Sequence, residues 1–243
     1  MSFASVLKHA DFPLAPLLTR LLETAEWGLG TAVEIEFAVN LARAASDAEF
    51  GFLQLRPLAL SSEGERLEIG EVEPERVLCR SAAVLGNGRI EDIRELVVVD
   101  AHGFERKRSR ETASELGRLN AQMLSEGIPY LLIGVGRWGS ADPWLGIPVT
   151  WDQISGARVI VEAGFHDVRV TPSQGTHFFQ NLTSFNVGYF TVNPDAGEGT
   201  LDWEWLRAQP ATSETPFARR VRLDRPLLVL MNGHKGEGVI LKP

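Results

Sequence analysis

Between Leu96 and Val192 the chain runs strand, helix, strand, loop, strand, strand, and this order constrains the fold more than any other feature. Leu96 to Asp100 is a short β-branched apolar run, the mark of a buried strand. Ser109 is placed to cap the next helix, with Glu111 in the first turn, where the dipole favours a negative charge. The helix is expected to reach Ser125, to bury Ala113, Leu116, Leu119, Met123 and Leu124, and to end at Gly127. Tyr130–Ile133, Arg158–Glu162 and Val187–Val192 follow as strands. Around them lie an expected strand over Val77–Val84 ending in the turn Leu85–Gly88, and a short helix over Leu201–Ala208 with Trp203 and Trp205 partly exposed. A closing hairpin of Val221–Asn232 and Gly238–Leu241 is expected around Gly233-His234-Lys235-Gly236. The pattern predicts an α+β (α/β) fold.

Upstream the pattern differs. Pro13–Trp27 carries Leu14, Leu17, Leu18, Leu21, Leu22 and Ala25 on one helical stripe, and Gly28 and Gly30 stop it. Val33–Val39 and Phe50–Pro57 then alternate as strands with one buried face. Ile35, Phe37 and Val39 share one face of the first strand, and Glu34, Glu36 and Ala38 the other. In the second strand Gln54 and Arg56 share a face, with Phe52 two residues earlier. Paired as a hairpin, the strands would gather two carboxylates, an amide and a guanidinium on one surface. Carboxylate oxygens suit Mg²⁺, and a guanidinium forks onto phosphate. The Ser-, Gly- and Glu-rich stretch Ser61–Glu75 reads as a boundary, which divides the chain into residues 1–60 and 76–243.

Composition narrows the function classes. No run of eighteen apolar residues is present, so no membrane span is expected, and the start of the chain lacks the pattern of a signal peptide. A single cysteine, Cys79, rules out an intramolecular disulfide and makes a cytoplasmic location the default. In its strand Cys79 reads as a small buried hydrophobe. The net charge of −8 and the lack of a long basic stripe argue against nucleic acid, although Arg106, Lys107, Arg108 and Arg110 form a local basic run ahead of the helix.

Two further clusters attract chemistry. Gly134-Val135-Gly136-Arg137-Trp138-Gly139 follows a strand and fits the G-x-G-x-x-G pattern, with Glu162 placed like the ribose acid of a dinucleotide fold. The residues beyond it, Ser140 to Pro148, include two prolines and a glycine and cannot open the helix on which such a site depends. The glycine amides with Arg137 can still form an anion nest, Ser140 and Asp142 can orient a ligand or metal, and Trp138 and Trp144 can stack on a flat group or close the core. The second cluster, Pro172–Asn181, offers Ser173, His177 and Asn181 without a nucleophile elbow. The five histidines show no metal-ligand spacing.

The two alternating segments resemble the end of the ATP-grasp domain in phosphoenolpyruvate synthases and pyruvate phosphate dikinases. That family carries Asp-Ile-Glu-Trp/Phe on one strand and Leu-Gln-x-Arg on the next. The resemblance covers residues 3–58 and implies that Glu36 serves metal and nucleotide, while Gln54 and Arg56 meet the phosphates. Glu34 stands in place of the usual Asp, and the insert Ala42–Glu49 lengthens the hairpin. The phosphohistidine motif of the family is not matched by Gln174-Gly175-Thr176-His177, and the upstream nucleotide-binding half is absent. Residues 77–243, through G-R-W-G-S-x-D-P-W-L-G-I-P-V and P-S-Q-G-T-H-F-F-Q-N-L-T-S, resemble the carboxyl-terminal region of long bacterial pyruvate/phosphoenolpyruvate-binding proteins.

The resemblance therefore implies the end of an ATP-grasp domain followed by a mixed-sheet α/β domain. It implies part of an ATP-dependent phosphotransferase that uses ATP and Mg²⁺ and is completed by a separate amino-terminal subunit. The catalytic candidates are Arg56, Arg137 and His177. The nucleotide-binding candidates are Glu36, Gln54, Arg56, Gly134, Gly136, Gly139 and Ser140, and the metal candidates are Glu36 and Glu34. The alternative expectation is a non-catalytic module, either one that binds a phosphorylated metabolite in a pocket of the Gly134–Asp142 loop and the Ser173–Asn181 segment, or an interaction module.

Overall fold

The structure is a computed structural model that describes residues 12–29, 33–40, 48–57, 67–140, 142, 144–164, 169–170 and 187–243. The chain divides into two compact units, Met1–Leu60 and Ser61–Pro243. No described helix is long and apolar enough to cross a membrane.

The first unit contains α1 (Leu14–Leu29) and two strands, β1 (Val33–Asn40) and β2 (Glu49–Pro57). Pro13 stands just ahead of α1, where a missing N–H is harmless. The apolar stripe from Leu14 to Ala25 is half-buried. The strands pair antiparallel, with Leu53 as an extra residue opposite the Glu36–Phe37 step. This bulge changes one expectation. Alternation alone assigns Phe52 to the face of Gln54, but the extra residue turns it to pair with Phe37 on the apolar face.

The second unit holds the core. In chain order it runs β3 (Val77–Ser81), β4 (Val84–Leu85), β5 (Asn87–Ile90), β6 (Glu95–Val98), α2 (Ser109–Glu126), β7 (Tyr130–Val135), β8 (Arg137–Trp138) and β9 (Gly146–Ile147). There follow β10 (Ala157–Ala163), β11 (Gly188–Val192), β12 (Thr200–Leu201), α3 (Trp203–Ala208), β13 (Ala211–Glu214), β14 (Arg219–Arg222), β15 (Leu228–Asn232) and β16 (Glu237–Leu241). A seven-stranded mixed sheet has the order β13-β14-β6-β7-β10-β11-β4, and a five-stranded antiparallel sheet the order β12-β3-β16-β15-β5. The centre of the larger sheet, β6 to β11, is parallel. Its strands are apolar on both faces because both are covered. Leu131, Ile133, Val159, Val161 and Phe190 pack towards the smaller sheet. Tyr130, Leu132, Ile160 and Tyr189 pack towards α2 with Leu116, Leu119 and Met123.

Several local expectations are corrected. A 3₁₀ turn, Arg106–Arg108, precedes α2, so Ser109 is already helical and buried and makes no cap. Leu124 is exposed, while Thr112 and Asn120 are buried in its stead. Asn120 earns its place by accepting from the Tyr130 hydroxyl (2.9 Å) and donating to the Asp152 carbonyl (2.8 Å). Val77–Val84 breaks into β3 and β4, which join different sheets. Val221–Asn232 likewise splits between β14 in the larger sheet and β15 in the smaller, separated by Asp224-Arg225-Pro226. Residues ahead of Pro74 belong to this unit: the Leu67 carbonyl accepts from Asn232 Nδ2 at 3.0 Å, and Glu68 pairs with Lys235 at 3.1 Å.

Candidate functional site

The hairpin of the first unit places Glu34 opposite Arg56 and Glu36 opposite Gln54. Directly opposed residues share a face, so all four positions lie on one surface of the ribbon. Glu34 and Glu36 are exposed and Gln54 is half-buried. The opposite face is apolar, with the Phe37 and Phe50 rings stacked at 5.5 Å. Two carboxylates two residues apart on an exposed face suit Mg²⁺, which takes one or two protein carboxylates and completes its shell from phosphate and water. Among the described residues of this unit the basic residues are Arg20 and Arg56.

In the second unit, ligand sites of α/β sheets favour the carboxyl ends of parallel strands. The segment that follows β7 lies there. Its glycines serve packing. A Cβ at Gly134 would stand 2.4 Å from the Trp138 indole, and one at Gly136, where φ is +72°, would stand 2.8 Å from the Leu145 carbonyl. The amides are committed inside the protein. Gly136 donates to the Ala163 carbonyl (2.9 Å), Arg137 to Leu145 (2.8 Å), Gly139 to Ile147 (2.9 Å), and Trp138 to Glu162 Oε1 (2.7 Å). These four N–H groups therefore form no anion nest. The segment continues into β8 and not into a helix. Ser140 Oγ donates to the Asp142 carbonyl, and Asp142 Oδ1 accepts from Trp144, so both polar side chains hold their own turn. The two tryptophans separate. Trp138 is 2% exposed and anchors the core, while Trp144 is 67% exposed with Arg106 over its ring at 5.8 Å.

Glu162 is the unexpected member. It faces the α2 side of the sheet, wholly buried, between Gly134 of β7 and Thr191 of β11. Burial pushes its carboxyl up to about 7, against the opposing pull of Tyr189, the Trp138 N–H and the Arg137 charge. Oε2 has no hydrogen-bond partner among the described residues. A ribose acid would be open to a ligand, and this one is not. The signal in the sequence was the charge itself: an acid inside Val159-Ile160-Val161-Glu162-Ala163, a strand apolar on both faces, must lie inside. Cys79 is wholly buried and burial pushes its thiol up, which makes it inert.

At the end of β6, Asp100 Oδ1 accepts from the His102 N–H (2.8 Å), and Arg207 lies 2.6 Å from His102 Nδ1 and 3.6 Å from Asp100 Oδ2. No pattern in the sequence brings these three together, because Arg207 comes from α3, some hundred positions away. His177 and the Pro172–Asn181 cluster lie outside the described residues. Among the described residues no group of three His, Cys, Asp or Glu side chains is arranged to hold a metal. No family model, no curated protein and no solved structure matches the chain.

Proposed function

We propose that the hairpin of the first unit is one wall of a Mg²⁺-nucleotide site, the phosphate-contacting end of an ATP-dependent phosphotransferase that needs a second component to be complete. The observation that carries this reading is the register: Glu34 opposite Arg56 and Glu36 opposite Gln54, with both carboxylates exposed. Glu36, assisted by Glu34, would hold Mg²⁺, which neutralises phosphate charge when bound. Gln54 donates an amide N–H to a phosphate oxygen, and Arg56 supplies the bidentate guanidinium. The commitment of the Gly136–Gly139 amides to protein acceptors favours the hairpin over the loop as the phosphate site.

Calorimetric titration of the whole chain with Mg²⁺-ATP tests the reading, repeated with Arg56→Ala, Glu36→Gln and Arg137→Ala. Weak saturable binding is expected, at least tenfold weaker in Arg56→Ala and in Glu36→Gln, because each removes a charged contact of about 1.5–3 kcal/mol. Arg137→Ala should leave it unchanged. Binding that follows Arg137 and ignores Arg56 would transfer the site to the second unit.

A further inference from the structure

The segment 67–74 lies along the five-stranded sheet, tied to it by the Asn232 bond to the Leu67 carbonyl and by the Glu68–Lys235 pair. Two hollows open beside this segment, and Arg80 of β3 is in the wall of both. The smaller, about 260 Å³, brings together Ile69, Arg80 and Glu237. The larger, about 490 Å³, has the apolar walls Val72, Pro74, Val77 and Leu201, with Asp202 beside them.

Strand register puts Arg80 and Glu237 on one face. Gly238 points towards the larger sheet, where a Cβ would stand 2.6 Å from the Phe190 ring, so Glu237 and Val239 on either side of it point outward. Arg80 pairs with Val239 and points the same way. Arg80 and Glu237 are therefore diagonal neighbours, about 7–8 Å apart between Cα atoms. Both are exposed, and neither side chain has a hydrogen-bond or ion-pair partner among the described residues, the other included. Asp202, by contrast, is committed: it accepts from the Trp205 N–H at 2.9 Å and from Lys242 at 2.6 Å. The covering segment adds the exposed acids Glu71 and Glu73. A net anion drawn to Arg80 is thus repelled by Glu237, Glu71 and Glu73, and a net cation drawn to Glu237 is repelled by Arg80.

We infer that the two hollows bind a free α-amino acid with an apolar side chain. Its carboxylate takes the Arg80 guanidinium, its ammonium donates to the Glu237 carboxylate, and its side chain lies in the larger hollow against Val72, Val77 and Leu201. A molecule with both charges on one carbon has no net charge to be repelled, and with a charge-assisted contact at each end it spans the diagonal between the two side chains. The larger hollow falls within the range of small-ligand pockets. The site belongs wholly to the second unit and is independent of the hairpin.

The test is calorimetry on the whole chain with L-leucine and three relatives that each lack one part of it: isocaproate without the ammonium, isoamylamine without the carboxylate, and L-alanine without the larger side chain. Leucine is expected to bind in the millimolar range and each relative about tenfold more weakly, the equivalent of one charge-assisted contact or of the apolar burial. Arg80→Met and Glu237→Gln, both at exposed positions, should each weaken leucine about tenfold while the circular dichroism spectrum and the melting temperature stay those of the parent. The inference is overturned if leucine does not bind, if any of the three relatives binds as tightly as leucine, or if either substitution leaves leucine binding unchanged.

Discussion

The two units have similar strand chemistry and opposite physical states. In the first, Val33 is the only buried hydrophobic side chain among the described residues, while Phe37, Phe52, Leu53 and Leu55 of the same hairpin are exposed. In the second, one sheet is sealed on both faces, by α2 and by a second sheet, and strand after strand is buried at every position. What is described of the first unit, a two-stranded ribbon with one helix, is by itself marginal in water, whereas three layers bury enough apolar surface to fold as a cooperative unit. The lesson is that alternation identifies a strand, but the number of layers decides whether its apolar face finds cover.

The sharpest way to break this contrast is to separate the units. Residues 67–243 alone should melt cooperatively within a few degrees of the whole chain, and residues 1–60 alone should show no cooperative transition by circular dichroism. A sigmoidal melt of the shorter piece would mean that the ribbon has a core the apolar exposures do not show.

Matched glycine substitutions come next. Gly134→Ala drives a methyl to 2.4 Å from a buried indole and should lose about 3 kcal/mol in urea unfolding. Gly51→Ala, in β2, meets nothing closer than 3.7 Å and should stay within about 0.5 kcal/mol of the parent. Equal losses at the two sites would erase the difference in packing.

The third prediction concerns the buried charge. Since burial lifts the Glu162 carboxyl from 4.5 to about 7, the folded chain holds this proton more tightly than the unfolded one. Its favourable contribution is complete below about pH 4 and is lost as the pH rises through 7, a span on the order of 3 kcal/mol. Glu162→Gln keeps an acceptor for the Trp138 N–H and removes the charge. Its unfolding free energy should match the parent near pH 5, exceed it by about 2 kcal/mol near pH 8, and show a flatter pH profile. A constant difference across that range would place the role of Glu162 in shape alone.

The smallest effect should come from the ribbon. Phe52, 48% exposed, replaced by Ser should change stability by less than about 0.5 kcal/mol. A loss above 2 kcal/mol would show that its ring is covered in solution.

Much of the fold was legible because local patterns and tertiary needs agree. The apolar period of α2 and its stop at Gly127, whose N–H bonds to the Leu124 carbonyl at 3.1 Å, follow from sequence spacing. So do β6, β7, β10 and β11, which are too apolar to lie anywhere but inside. The charged face of the hairpin was legible too, since Glu34, Glu36, Gln54 and Arg56 occupy alternate positions in two adjacent strands. The errors arose where alternation was interrupted. The extra residue Leu53 moved Phe52 to the other face, and a one-turn 3₁₀ segment displaced Ser109 from the cap.

By itself, then, the sequence determined the period and polarity of each element, because these depend on neighbours within a turn or a strand. Only the tertiary structure decided how those elements are shared. It assigned β3 and β4, and β14 and β15, to different sheets, and it joined Asp100 and His102 to Arg207. It also consumed the amides of the G-x-G-x-x-G segment within the protein and set Glu162 beside Thr191. The physical reason is the same in each case. A backbone amide or a buried carboxylate must find a partner or go without, and which partner lies within 3 Å is a property of packing between segments that are distant in the chain.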